Sequence, residues 1–101
     1  MATDTSTIVK RKTKTIIEPP KSWKVIILND DKTPMEFVVT VLMEIFRHPR
    51  EDATQLMMKI HTEGSAIAGV YSYEIAETKA LETVEAAKAN KFPLQAKAEP
   101  E

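Results

Sequence analysis

Residues 29–31, Asn-Asp-Asp, place an amide and two carboxylates side by side between an apolar stretch and the start of a helix. A turn needs one such residue, not three. One account is local: Asn and Asp are common where a strand gives way to a helix, and carboxylates at a helix N-terminus interact favourably with its dipole. The other is a site. Asp30 and Asp31 offer anionic oxygens and Asn29 an amide oxygen, a set that suits a compact cation with several N–H donors, such as an ammonium group. The residues alone leave both accounts open.

Other chemistry is harder to assemble. Hard metal ions want six or more oxygens, and no spaced acidic loop supplies them. Adjacent Asp residues point apart, so they do not make a facing catalytic pair. His48 and His61 lack zinc-site spacing, and the absence of cysteine excludes thiolate ligands and a thiol nucleophile. A hydrolase using Asp30 or Asp31 with His61 would also lack a nucleophile motif and an oxyanion hole. His61 borders an apolar helix stripe, where a histidine is commonly a half-exposed core residue. The five methionines fill core gaps or, in the case of Met35 and Met57, line an adaptable pocket.

The elements that must position these residues follow from pattern. "SWKVIILN" is β-branched and bounded by polar residues, hence a strand buried on at least one face. Thr33 as N-cap, Pro34 in the first turn and Glu36 closing a capping box predict a helix from there to His48, where Pro49 stops it. Its apolar face is Met35, Val38, Val41, Leu42, Ile45 and Phe46. A second helix fits residues 50–62, with Ala53, Leu56, Met57 and Ile60 on one stripe and Gly64 as its stop, so the two helices form a hairpin. "AIAGVYS" reads as a strand, and Ser72 caps a third helix to about Asn90 with Ile75, Leu81 and Val84 among its apolar positions. "LQAKA" alternates as an edge strand does. The order β-α-α-β-α-β predicts an α+β fold in which three helices pack on a small, mainly antiparallel three-stranded sheet.

At 101 residues the chain holds one modest core, burying roughly 65% of its unfolded surface. Fourteen basic and fifteen acidic residues leave a net charge of -1, too little to draw the whole molecule to nucleic acid or an anionic membrane. The charge is uneven. Up to Ser22, Lys10, Arg11, Lys12, Lys14 and Lys21 face only Asp4 and Glu18, whereas residues 23–94 carry eight basic against eleven acidic. Residues 1–21, Thr- and Lys-rich and closing on a Pro pair, read as a flexible N-terminal arm, and residues 22–101 as the core domain. Extended, some twenty residues reach ~65 Å. No apolar run has signal-peptide or membrane-spanning length, which predicts a soluble, cytoplasmic chain. A nucleic-acid-associated domain using the basic arm is the alternative class, recognisable by salt-sensitive binding to DNA or RNA.

"NDDKTPMEFV", "ATQLMMKIH", "GVYSYEIAETK" and "FPLQA", in this order and spacing, resemble the ClpS adaptors, which deliver N-degron substrates to a bacterial Clp protease. The resemblance spans residues 23–94. It implies a binding adaptor without catalysis or cofactor, monomeric by family habit, acting on neither nucleic acid nor membrane. It also implies that Asn29, Asp30, Asp31 and His61 hold a substrate's free α-amino group, directly or through water. Thr33, Met35, Val38, Met57, Ile60 and Leu94 would then form the pocket for a first residue such as Leu, Phe, Tyr or Trp, with Met35 a gate against β-branched ones. "EIAETK" resembles the docking segment for a ClpA- or ClpC-type unfoldase, with Glu74 and Lys79 as contacts, and the arm would be what the unfoldase engages. Lys32 stands where many members carry an aromatic that helps this docking, and Ile60 where valine is common.

Overall fold

The structure, a computed structural model, describes residues 21–101. The arm assigned to residues 1–21 lies outside them except for Lys21. Three strands and three helices follow in the order β1 (Trp23–Leu28), α1 (Met35–Glu44), α2 (Arg50–Glu63), β2 (Ser65–Tyr71), α3 (Tyr73–Ala89) and β3 (Gln95–Pro100). The sheet runs β2-β1-β3 with both pairs antiparallel, the α+β arrangement expected.

β1 is central because it is the most β-branched segment and can bury a full face. Val25 and Ile27 are completely buried, while Lys24, Ile26 and Leu28, which alternate with them, keep some exposure. The β1–β2 register shifts between Val25 and Ile26, so that Ala68 is the extra residue of a bulge. Its carbonyl is met by His48, whose Nε2 donates across 2.6 Å from the α1–α2 loop. Gly69, beside the bulge, has no side chain because the Tyr71 ring occupies that space.

Three local expectations change. The Thr33 capping box does not form: Pro34 is the N-cap of α1, in extended backbone, and no side chain caps the helix. Thr33 instead donates both its hydroxyl and its backbone N–H to the ionised Asp30 carboxylate, a strong acceptor. α1 stops at Glu44 rather than His48, since Arg47 takes a left-handed conformation (φ 63°) and the His48 N–H turns back to the Leu42 carbonyl. Ser72 precedes α3 in extended backbone but makes no side-chain cap.

On α3 small residues make the buried face. Its buried stripe is Ala76, Ala80, Thr83 and Ala87, and Ile75 and Leu81 are 49% and 60% exposed. Small residues let the helix axis come close to the sheet, and the larger apolar side chains one position away are left at the surface. The one buried hydroxyl of the stripe, Thr83, donates to the Lys79 carbonyl. α2 ends as expected, with Gly64 left-handed (φ 93°) and its N–H on the Ile60 carbonyl. Among the described residues no helix is long and apolar enough to cross a membrane.

Candidate functional site

The turn from β1 into α1 is built around one carboxylate. Asp30 Oδ1 accepts the backbone N–H groups of Lys32 (2.8 Å) and Thr33 (2.7 Å), and Oδ2 accepts the Thr33 hydroxyl (2.7 Å). Partial burial acts to raise the Asp30 pKa. The three hydrogen bonds outweigh it and hold the carboxyl below its ordinary value of 3.8. About one of the four lone-pair positions of the carboxylate is left for another donor.

A second bond joins this turn to a distant element. The Asn29 N–H donates to the carbonyl of Gly64 (2.9 Å), the residue that ends α2. That contact brings residues 29–31 beside the last turn of α2, where His61 stands. Asn29, Asp31 and His61 spend no side-chain atom on a hydrogen bond within the described residues.

Beneath the turn lies a cavity of about 210 Å³ lined by Asn29, Asp30, Asp31, Thr33 and His61 on one side and Met35, Val38, Met57 and Ile60 on the other. Val38 and Ile60 are buried and Met57 nearly so, whereas Met35 is 43% exposed at the rim. The apolar wall is shared between α1 and α2, whose hairpin packing sets its width. Nine of the ten residues expected around the amine and side-chain sites thus line one cavity. Leu94 is not among the lining residues; it is 1% exposed in the core cluster. Among the described residues no cluster of His, Cys, Asp and Glu could hold a metal. The lining provides acceptors and an apolar surface.

The three residues expected at a second surface are scattered in character. Lys32 is exposed at the site's edge, its backbone N–H given to Asp30, and Glu74 is exposed in the first turn of α3. Lys79 is half-buried: Nζ donates to the Ile45 carbonyl (2.7 Å) at the end of α1 and lies 5.3 Å and 6.0 Å from the Tyr71 and Phe46 ring centres. It therefore clamps α3 to α1 through a charge-assisted bond and cation–π contacts. Neither this clamp nor the His48–Ala68 bond leaves a signal in the sequence, since each joins residues far apart in the chain to a backbone carbonyl.

Comparison with known proteins agrees with this geometry. Residues 18–97 match the family model for the ATP-dependent Clp protease adaptor protein ClpS. The ATP-dependent Clp protease adapter protein ClpS of Treponema denticola is 52% identical over 80 residues, 79% of each chain. That of Burkholderia cenocepacia is 49% identical over 90 residues, 89% of this chain and 86% of the relative. The structure of Agrobacterium tumefaciens ClpS2 bound to L-phenylalaninamide matches with a TM-score of 0.80 at 46% identity, covering 82% of this chain and 100% of that one. The chain belongs to the ClpS family, adaptors of the Clp protease and not enzymes.

Proposed function

We infer that this adaptor recognises proteins that begin with a free α-amino group on a bulky apolar residue (Leu, Phe, Tyr or Trp) and presents them to a ClpA- or ClpC-type unfoldase as a cytoplasmic monomer. The observation that carries the reading is the two-sided cavity. Asn29, Asp30, Asp31 and His61 form one pole, which suits an ammonium; Met35, Val38, Met57 and Ile60 form the other, which suits its side chain. L-phenylalaninamide, the ligand of the similar ClpS2, has those two halves: a primary amine and a benzyl group.

Neither half suffices alone. Burying a Phe or Leu side chain contributes roughly 1.5–3 kcal/mol, and each hydrogen bond to the charged amine about 1.5–3 kcal/mol. Micromolar affinity needs about 8 kcal/mol, which the two poles reach together. Selectivity follows from the polar pole. An acetylated amine or an internal peptide N–H has lost charge and donors, and facing it the unspent acceptors stay unpaired in a partly desolvated site. The docking face for the unfoldase would include Lys32 and Glu74, with Lys79 contributing only if it leaves its bond to Ile45.

Fluorescence anisotropy with a Phe-leading peptide and its N-acetylated twin tests the reading. The free peptide is expected to bind, and the acetylated twin at least ~100-fold more weakly. Equal binding of the two refutes the amine site.

A further inference from the structure

Sulfur in this chain is carried by methionine alone. The sequence has five methionines and no cysteine, so thioethers are its only sulfur groups open to a peroxide. Four of the five, Met35, Met43, Met57 and Met58, lie among the described residues. They differ in whether water reaches them and in whether they line the cavity of about 210 Å³. Met43 is half-buried against the core cluster and is not part of the lining. Met57 lines the cavity but is only 9% exposed. Met58, next to it in α2, is 45% exposed and takes no part in the lining, since adjacent helix positions point about 100° apart. Of these four, Met35 alone combines the two properties: it is 43% exposed and forms part of the apolar wall.

Oxidation would change what Met35 offers to a ligand. Hydrogen peroxide transfers one oxygen to a thioether: the S–O bond forms as the peroxide O–O bond breaks, sulfur gives up two electrons, and the remaining oxygen leaves as water. The product, methionine sulfoxide, puts a polar acceptor where a flexible apolar side chain stood. At the rim that oxygen stays hydrated while the cavity is open, so the fold is unaffected. An apolar side chain entering the cavity has two choices. It strips water from the sulfoxide, which costs free energy unless another donor replaces it, or it gives up contact with that part of the wall. Either way the apolar pole is weakened, and the acceptors of Asn29, Asp30 and Asp31 stay in place.

We propose that Met35 is an oxidation site whose sulfoxide lowers the affinity of the cavity for chains beginning with a bulky apolar residue, an inference that rests on the function proposed above. The change is reversible, because a methionine sulfoxide reductase returns the thioether and releases the added oxygen as water. Met58 oxidises beside it without consequence for binding.

The full chain treated with hydrogen peroxide tests it, followed by peptide mass spectrometry and by fluorescence anisotropy with a Phe-leading peptide. Met35 and Met58 are expected to gain oxygen before Met43 and Met57. Affinity should fall about 10-fold, the worth of a modest apolar contact, in step with the oxidised fraction of Met35, and return after reductase treatment. Each variant is compared with itself before and after peroxide. Met58→Leu should lose affinity as the parent does, whereas Met35→Leu, whatever its starting affinity, should not change. Three results overturn the proposal: affinity that holds while Met35 is oxidised, a loss that is as large in Met35→Leu, or a loss that tracks unfolding seen by circular dichroism. A parent chain that fails to bind the peptide before any oxidant is added overturns the proposed function itself, and this inference with it.

Discussion

The two poles of the 210 Å³ cavity are held in different ways. The polar pole is local, a turn in which one carboxylate gathers three donors from two residues, Lys32 and Thr33. The apolar pole is not: Met35 and Val38 come from α1, Met57 and Ile60 from α2, and their spacing depends on how the hairpin packs. A hydrogen-bonded turn fixes directions closely but contributes little net energy, and an apolar wall contributes energy but tolerates changes of shape. Selectivity should therefore reside in the turn and affinity in the helices.

The largest test separates charge from geometry at Asp30. Asp30→Ala removes the acceptor of three hydrogen bonds, so peptide binding should fall at least ~100-fold and stability by about 1–3 kcal/mol, read by anisotropy and urea titration. Asp30→Asn keeps an oxygen for the Lys32 and Thr33 N–H groups, removes the charge and puts an NH2 donor where Oδ2 accepted the Thr33 hydroxyl, which can turn to accept instead. It should cost little stability but still weaken binding by about 10-fold, the loss of a charge-assisted bond. Parental binding by Asp30→Asn would mean that Asp30 acts only by shaping the turn.

Truncating the apolar pole should invert that pattern. Met57→Ala is expected to cost about 2–5 kcal/mol of folding stability and to weaken Leu- and Phe-leading peptides alike, leaving discrimination against acetylated peptides intact. Loss of that discrimination would show that the two poles are not separable.

Acidity tests the turn a third way. Because the Asp30 carboxyl is held below its ordinary value, the stability it contributes is present above that value and is lost only as pH falls through the lowered one. The turn should thus persist through mildly acid conditions, which stability measured against pH would show. His61 is tested by substitution: His61→Ala should weaken binding of a Phe-leading peptide, and unchanged binding removes His61 from the site.

The smallest effect is expected at Ile60. Ile60→Val removes one methylene from the wall, costing about 0.5–1.5 kcal/mol of stability, and should favour Trp-leading peptides over Leu- and Phe-leading ones by a few fold, about 1 kcal/mol. If the parent chain binds peptides beginning with all three equally well, the wall is not narrow in the way inferred.

The element order, the α+β class and the end of α2 at Gly64 were legible because each rests on neighbours in the chain: β-branched runs, helical spacing, a glycine where φ must be positive. The Asn-Asp-Asp step was legible as a candidate for the same reason. Capping was misread at Thr33, whose hydroxyl donates to Asp30 and accepts nothing from the helix end. On α3 the sequence shows apolar positions but not which of them are buried: close approach to the sheet selects alanines and leaves Ile75 and Leu81 exposed.

What the chain determined by itself is the inventory: an acceptor-rich turn, two helices with apolar stripes, and a histidine at the end of one of them. What tertiary structure decided is which of these meet. The Asn29 bond to the Gly64 carbonyl carries the turn to His61, packing of α1 on α2 makes the wall, and the core takes Leu94 away from it. Local propensity acts over a few residues, whereas these contacts exist only once the whole hairpin is seated on the sheet, and no short window of sequence contains both partners.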